Sequence, residues 1–194
     1  MFKDNYILEG NKSIKKKVIN SNGLIINKGE KIELIDYDEI ILNGPIIVNP
    51  GGSLIIDANN KKTLITKKEK TATIIILGKN NNNIINQELK YIHNINKIYN
   101  NINFNNNINN DGIIKINNVH LKFIGHKLLG LHALYIFGLN NGKFTNIILQ
   151  DYFYCGIQIR GCSNLKIKNI IDNNTKKYSI NNNNNIKIFK KIEN

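Results

Sequence analysis

Along the second half of the chain, short runs alternate apolar and polar side chains with period two, the pattern of a strand that buries one face. Four such runs align: Asn118-Val119-His120-Leu121, Asn141-Gly142-Lys143-Phe144, Asn164-Leu165-Lys166-Ile167 and Asn185-Ile186-Lys187-Ile188. Their leading asparagines stand 23, 23 and 21 residues apart, and each is followed by an apolar residue (once glycine), a basic one and another apolar one. The alternation predicts that Val119, Leu121, Phe144, Leu165, Ile167, Ile186 and Ile188 point inward. A second alternating strand precedes these runs in Ile114-Lys115-Ile116, Leu134-Tyr135-Ile136 and Ile157-Gln158-Ile159, and a third follows in Ile147-Ile148-Leu149 and Ile170-Ile171. Two or three short strands in each turn of about 21–23 residues are what a parallel β-helix needs, every turn stacking on the last at roughly 4.8 Å. The chain therefore reads as all-β, a single right-handed parallel β-helix. Asparagine suits its corners, because it tolerates left-handed backbone and can stack in hydrogen-bonded ladders.

Upstream, Pro45-Ile46-Ile47-Val48 runs through the turn cluster Asn49-Pro50-Gly51-Gly52 into Ser53-Leu54-Ile55-Ile56-Asp57, and Thr71 to Ile76 runs through Gly78 to Asn83-Ile84-Ile85. With the later Gly161-Cys162-Ser163-Asn164-Leu165-Lys166-Ile167-Lys168-Asn169-Ile170 segment, this stretch resembles the coils of the pectin lyase-like superfamily of right-handed β-helices, over residues 40–190. The resemblance is one of fold, since these segments mark coils and not active sites. The asparagine-rich stretch 86–110 breaks the pattern and reads as a loop inserted into one turn. Residues 1–40 read as an N-terminal cap with the first strands, since an open edge invites aggregation. Residues 41–194 form the solenoid proper.

Composition changes this picture little. Asparagine and isoleucine dominate and tryptophan is absent, which an AT-rich genome explains; a viral particle component or host-interaction protein fits that drift. No apolar run is long enough to span a membrane, and the polar run Asn11 to Lys17 is wrong for a signal peptide, so an intracellular or virion location is expected. Cys155 and Cys162 stand about 20 Å apart if the chain between them is extended, beyond disulfide reach, which predicts two thiols and a reducing compartment.

Charge is more informative. The formal net charge is +13, and residues 1–40 balance seven lysines against seven acids, so the excess lies wholly in residues 41–194. In the alignment above, the outward positions are His120, Lys143, Lys166 and Lys187, and two residues further on Lys122, Thr145, Lys168 and Phe189. Cations about 5 Å apart in water repel by roughly 0.8 kcal/mol per pair. A sheet that accepts this cost suits an acidic polysaccharide or another polyanion, with nucleic acid as the alternative ligand. The ordinary alternative is a solvated lysine surface. The reading that follows is a non-catalytic structural or adhesive module binding polyanion through His120, Lys122, Lys143, Lys166, Lys168 and Lys187, with no cofactor.

The enzymatic rival is a small polysaccharide lyase or glycoside hydrolase of the type the resemblance implies. Polygalacturonase-like members use clustered aspartates, a Gly-His-Gly segment and an Arg-x-Lys; here Gly125-His126-Lys127 lacks the second glycine and Arg160 is followed by Gly161-Cys162. Asp151 and Asp172, 21 residues apart, with Arg160, the sole arginine, are the residues such an enzyme would use. Two acids can share acid and base roles or contribute to a calcium site, but more often cap turns. His120, His126 and His132 are evenly spaced, yet zinc needs three or four convergent ligands and no metal site is predicted. Ser53, Ser163 and Ser179 lack a nucleophile elbow, and neither cysteine has a histidine placed by motif. Tyr152, Phe153 and Tyr154 beside Arg160 could stack on bases, but three consecutive aromatics must split between faces, which assigns at least one to the core.

Overall fold

A computed structural model describes residues 16–19, 23–59, 61–68, 71–79, 111–125, 132–152, 156–173, 181–182 and 189–190. Its elements are all strands: β1 (Lys16–Ile19), β2 (Leu24–Ile26), β3 (Lys31–Ile35), β4 (Glu39–Leu42), β5 (Ile46–Val48), β6 (Ser53–Asp57), β7 (Thr63–Lys67), β8 (Ile74–Leu77), β9 (Ile114–Lys122), β10 (Leu134–Phe137), β11 (Gly142–Gln150), β12 (Ile157–Arg160), β13 (Leu165–Asp172), β14 (Asn181–Asn182) and β15 (Phe189–Lys190). Every pairing is parallel, and the strands stack as a β-helix. One sheet has six strands in the order β14-β12-β10-β8-β5-β2; the other has nine, running β1-β4-β7-β9-β11-β13-β15 with β3 and β6 joined to β9.

The alternation explains the core. In β9, Ile114, Ile116, Val119 and Leu121 are buried; in β11, Phe144, Ile147 and Leu149; in β13, Ile167 and Ile170. These side chains fill the interior together with Ile46, Ile74, Leu134 and Ile157 of the six-stranded sheet, which lie on one register line. Leu165 is only partly buried but packs on the same core, and Ile186 and Ile188 lie outside the described residues. The six-stranded sheet departs from simple alternation, because Ile47, Ile75, Tyr135 and Gln158 between the inward positions are buried as well. A parallel sheet enclosed on both faces favours such near-continuous apolar runs.

The long strands β9, β11 and β13 each bend once, at Asn118, Asn146 and Asn169, all with positive φ (55°, 55° and 52°). Before the bend each strand continues the β3–β6 limb of the nine-stranded sheet, and after it the β4–β7 limb. The bends form one column. Asn169 Nδ2 donates to Asn146 Oδ1 at 2.8 Å, and Asn146 Nδ2 to Asn118 Oδ1 at 2.8 Å. Asn118 Nδ2 reaches the Asn59 carbonyl at 2.5 Å, and Asn59 Nδ2 donates to Asp36 Oδ1 at 2.7 Å, with Asn59 and Asp36 again at positive φ.

The asparagine ladder is therefore real, but it shares only Asn118 with the predicted column and continues through Asn146 and Asn169 in place of Asn141 and Asn164. Register gives steps of 22, 28, 60, 23 and 23 residues along the six-stranded sheet. The 22–23-residue turn is the base unit, and two steps carry additional chain. From β9 to β11 the step is 28, with Lys115 opposite Lys143, so Asn118 aligns with Asn146 and not with Asn141. Asparagine is frequent enough that the wrong one also stood 23 residues away. Residues 86–110 fall outside the described residues, within the 60-residue step that sets Leu54 of β6 beside Ile114 of β9. Within residues 1–40, β1 to β4 already belong to the two sheets.

Candidate functional site

Outward positions on the first limb of the nine-stranded sheet follow from this register. One line reads Glu33, Ile55, Lys115, Lys143 and Lys166; its neighbour reads Ile35, Asp57, Asn117, Thr145 and Lys168. Lys143, Lys166 and Lys168 are exposed and make no ion pair among the described residues. Backbone pairing sets Lys143 directly beside Lys166, roughly 4.8 Å away.

Lys115, next in line, is differently placed. Its ammonium is bound to the Asp57 carboxylate, which is almost enclosed. Asn117 Nδ2 and the Asn59 N–H also donate to Asp57 Oδ1, each at 3.0 Å. Burial pushes the Asp57 pKa up, but the Lys115, Asn117 and Asn59 contacts outweigh it and hold the carboxyl below its ordinary 3.8. Thr145 Oγ1 extends the network by donating to Asn117 Oδ1 at 2.5 Å. Asp57, Asn117 and Lys115 were not among the predicted site residues, because their pairing crosses the 60-residue step and leaves no local pattern.

His120 and Lys122 do not share the lysine line. Both follow the bend at Asn118, so they lie on the second limb, where His120 stands between Leu64 and Ile148, and Lys122 beside Gln150. The predicted six-residue face is thus divided, and Lys187 lies outside the described residues. Burial pushes the His120 pKa down; Gln150 opposes this by hydrogen bonding, Lys122 and Lys62 add to it, and Asp151 opposes it. His120 is thus a half-buried ring between Leu64 and Ile148, with polar and charged groups of both signs near it.

The acids of the enzymatic alternative stand where β11 and β13 end. Asp151, at a positive-φ corner (50°), approaches Lys122 at 4.0 Å. Asp172 accepts a hydrogen bond from the Tyr152 hydroxyl at 2.8 Å, and Tyr152 is buried in the core. The two acids end neighbouring turns of the nine-stranded sheet, whereas Arg160 closes β12 in the other sheet. Among the described residues no group of three or more His, Cys, Asp or Glu could hold a metal ion. His132 is buried edge-on against Tyr135, ring centroids 4.7 Å apart, and His126 lies outside the described residues.

Cys162 is a buried thiol that donates to the Ile136 and Arg160 carbonyls at 3.3 and 3.2 Å. Burial pushes its pKa up to about 11, so it stays protonated and unreactive. Cys155, Phe153, Tyr154 and Ser179 lie outside the described residues. Ser53 Oγ accepts from the Ile113 N–H at 2.9 Å and Ser163 Oγ donates to Asn140 Oδ1, so both serines serve the turns. No helix among the described residues is long and apolar enough to cross a membrane. Comparison of the chain with protein-family models, with curated proteins and with solved structures finds no match.

Proposed function

We propose that the chain is a non-catalytic β-helix module that presents the lysines of its nine-stranded sheet to an acidic polysaccharide. The observation that carries this reading is the exposed group Lys143, Lys166 and Lys168, held on two adjacent turns by strand pairing and without acidic partners among the described residues. The backbone already bears the cost of setting two ammonium groups side by side, so a polyanion gains their attraction without ordering the protein first. The β-helix scaffold agrees with the likeness to pectin lyase-like coils, a superfamily many of whose members act on acidic polysaccharides. The placement of Arg160 in the other sheet from Asp151 and Asp172 favours binding over cleavage.

Co-sedimentation with polygalacturonate and with DNA over a salt series tests the proposal. Lys143→Ser/Lys166→Ser/Lys168→Ser is compared with Lys28→Ser/Lys61→Ser/Lys62→Ser, which removes the same charge from exposed positions elsewhere. Wild type and the second variant should bind polygalacturonate alike and release it as salt rises. The first variant should lose about tenfold or more in affinity, a few charge-assisted contacts, and no protein should shorten the polymer. Equal loss in both variants would reduce the effect to net charge, and a preference for DNA would replace the glycan as ligand.

A further inference from the structure

Resting on that reading, we infer that the basic face is a short site for an acidic oligosaccharide of a few sugar residues, laid along the strands and not along the solenoid axis. Register decides the direction. From Lys166 toward the N-terminal end, the line passes Lys143, Lys115, Ile55 and Glu33. Only Lys166 and Lys143 offer unneutralised charge, since Lys115 is bound to Asp57 and Glu33 to Lys31 at 2.7 Å. The neighbouring line likewise passes from Lys168 through uncharged Thr145 and Asn117 to Asp57.

Toward that N-terminal end, a polyanion lying along the axis would leave the free cations after one step of about 4.8 Å and meet carboxylates within about 20 Å. Laid along β13, the same chain keeps Lys166 and Lys168, about 6.6 Å apart, on one turn and Lys143 on the next. The corners bounding this limb carry neutral polar groups that suit sugar hydroxyls: Asn140 and Ser163 at one end, Asn146 and Asn169 at the other. The aromatic residue of these limb segments, Phe144, points into the core. Within β11 and β13 the outer face of this limb carries no aromatic ring, and register sets Phe189 of β15 beside Lys168 on the next turn.

The test is calorimetric titration with galacturonate oligomers graded from the monomer to long polymer, repeated over a salt series and with the Lys143→Ser/Lys166→Ser/Lys168→Ser variant, whose fold is checked by circular dichroism. Affinity per binding site should rise over the first few sugar residues and then stay flat. Its logarithm should fall with the logarithm of salt with a slope of about −2 to −3, as for three cationic contacts. Affinity that climbs steadily into the long polymers, with a slope well beyond −3, would overturn the short site while leaving the basic face as the binding surface. Absence of binding at every length, or equal binding by the variant, would overturn the basic face itself and this inference with it.

Discussion

Asn146 does two separable jobs. Its backbone sits at φ 55°, where most L residues are strained, and its amide joins the turns on either side. Replacing it with alanine forfeits both, whereas glycine restores the backbone freedom and forfeits only the hydrogen bonds. The left-handed conformation costs an ordinary residue about 1–2 kcal/mol, and each lost ladder bond about 1 kcal/mol. Asn146→Ala should therefore lower unfolding stability by about 2–4 kcal/mol in urea titration, and Asn146→Gly by about 1–2 kcal/mol less than that. Equal losses would mean that hydrogen bonding alone sets the value of the column. Asp57 carries a second residue-scale prediction. Its carboxyl is held below the ordinary 3.8 in the fold, so its contribution is complete above pH 3.8 and is lost as pH falls through the lowered folded value. Asp57→Asn should remove that part of the acid sensitivity below pH 3.8 while leaving the profile above it parallel to wild type.

At the scale of strands, the period-two pattern was legible because each strand must choose which residues face the core, and Ile, Leu and Val record the choice. Val119, Leu121, Phe144 and Ile167 are buried as the alternation requires. Register was not legible to the same degree. A slip between candidate strands preserves alternation, and the abundant asparagines supplied a false partner for Asn118 at Asn141 while the true one, Asn146, lies 28 residues on. The same slip joined His120 to the lysine line, although the bend at Asn118 turns it onto the next limb. Lys143, Lys166 and Lys168 kept their relationship because β11 and β13 are separated by an uninterrupted 23-residue turn. Close stacking of the turns has its own consequence at Gly78, just after β8. A Cβ there would lie 2.3 Å from the Gly138 carbonyl oxygen and 2.3 Å from the Leu139 Cα, both backbone atoms that cannot rotate away. Gly78→Ala should force β8 and β10 apart and cost about 1–3 kcal/mol or more, visible as a lowered melting temperature, whereas Gly29→Ala, with nothing within 4 Å of its Cβ, should show only backbone strain.

For the whole molecule, acid acts both on the sheet enclosed on both faces and on the sheet exposed on one. His132 belongs to the enclosed side: its N–H donates to the Tyr135 hydroxyl at 2.9 Å, and its carbonyl accepts from Thr73 Oγ1 at 2.7 Å, tying adjacent turns together. Burial, with the positive charge of Arg160 adding to it, pushes the imidazole pKa down from 6.5 to about 4. A histidine depressed in this way favours the fold fully above pH 6.5, where both folded and unfolded forms are neutral. Below that the unfolded chain gains a proton that the fold refuses, so stability falls progressively as pH drops from 6.5 toward 4. The loss should amount to a few kcal/mol at most. It precedes the loss at the Lys115–Asp57 contact, and His120 on the nine-stranded sheet, its pKa also pushed down, adds to the decline below pH 6.5. His132→Phe keeps an aromatic edge for Tyr135 and removes this titrating group, so its stability, measured by urea unfolding at a series of pH values, should fall less steeply than wild type between pH 6.5 and 4, the remaining slope including that of His120. If wild type and variant declined in parallel over that interval, the acid sensitivity would belong instead to His120 and to the general repulsion of a chain carrying a net charge of +13, and added salt would then restore both proteins equally.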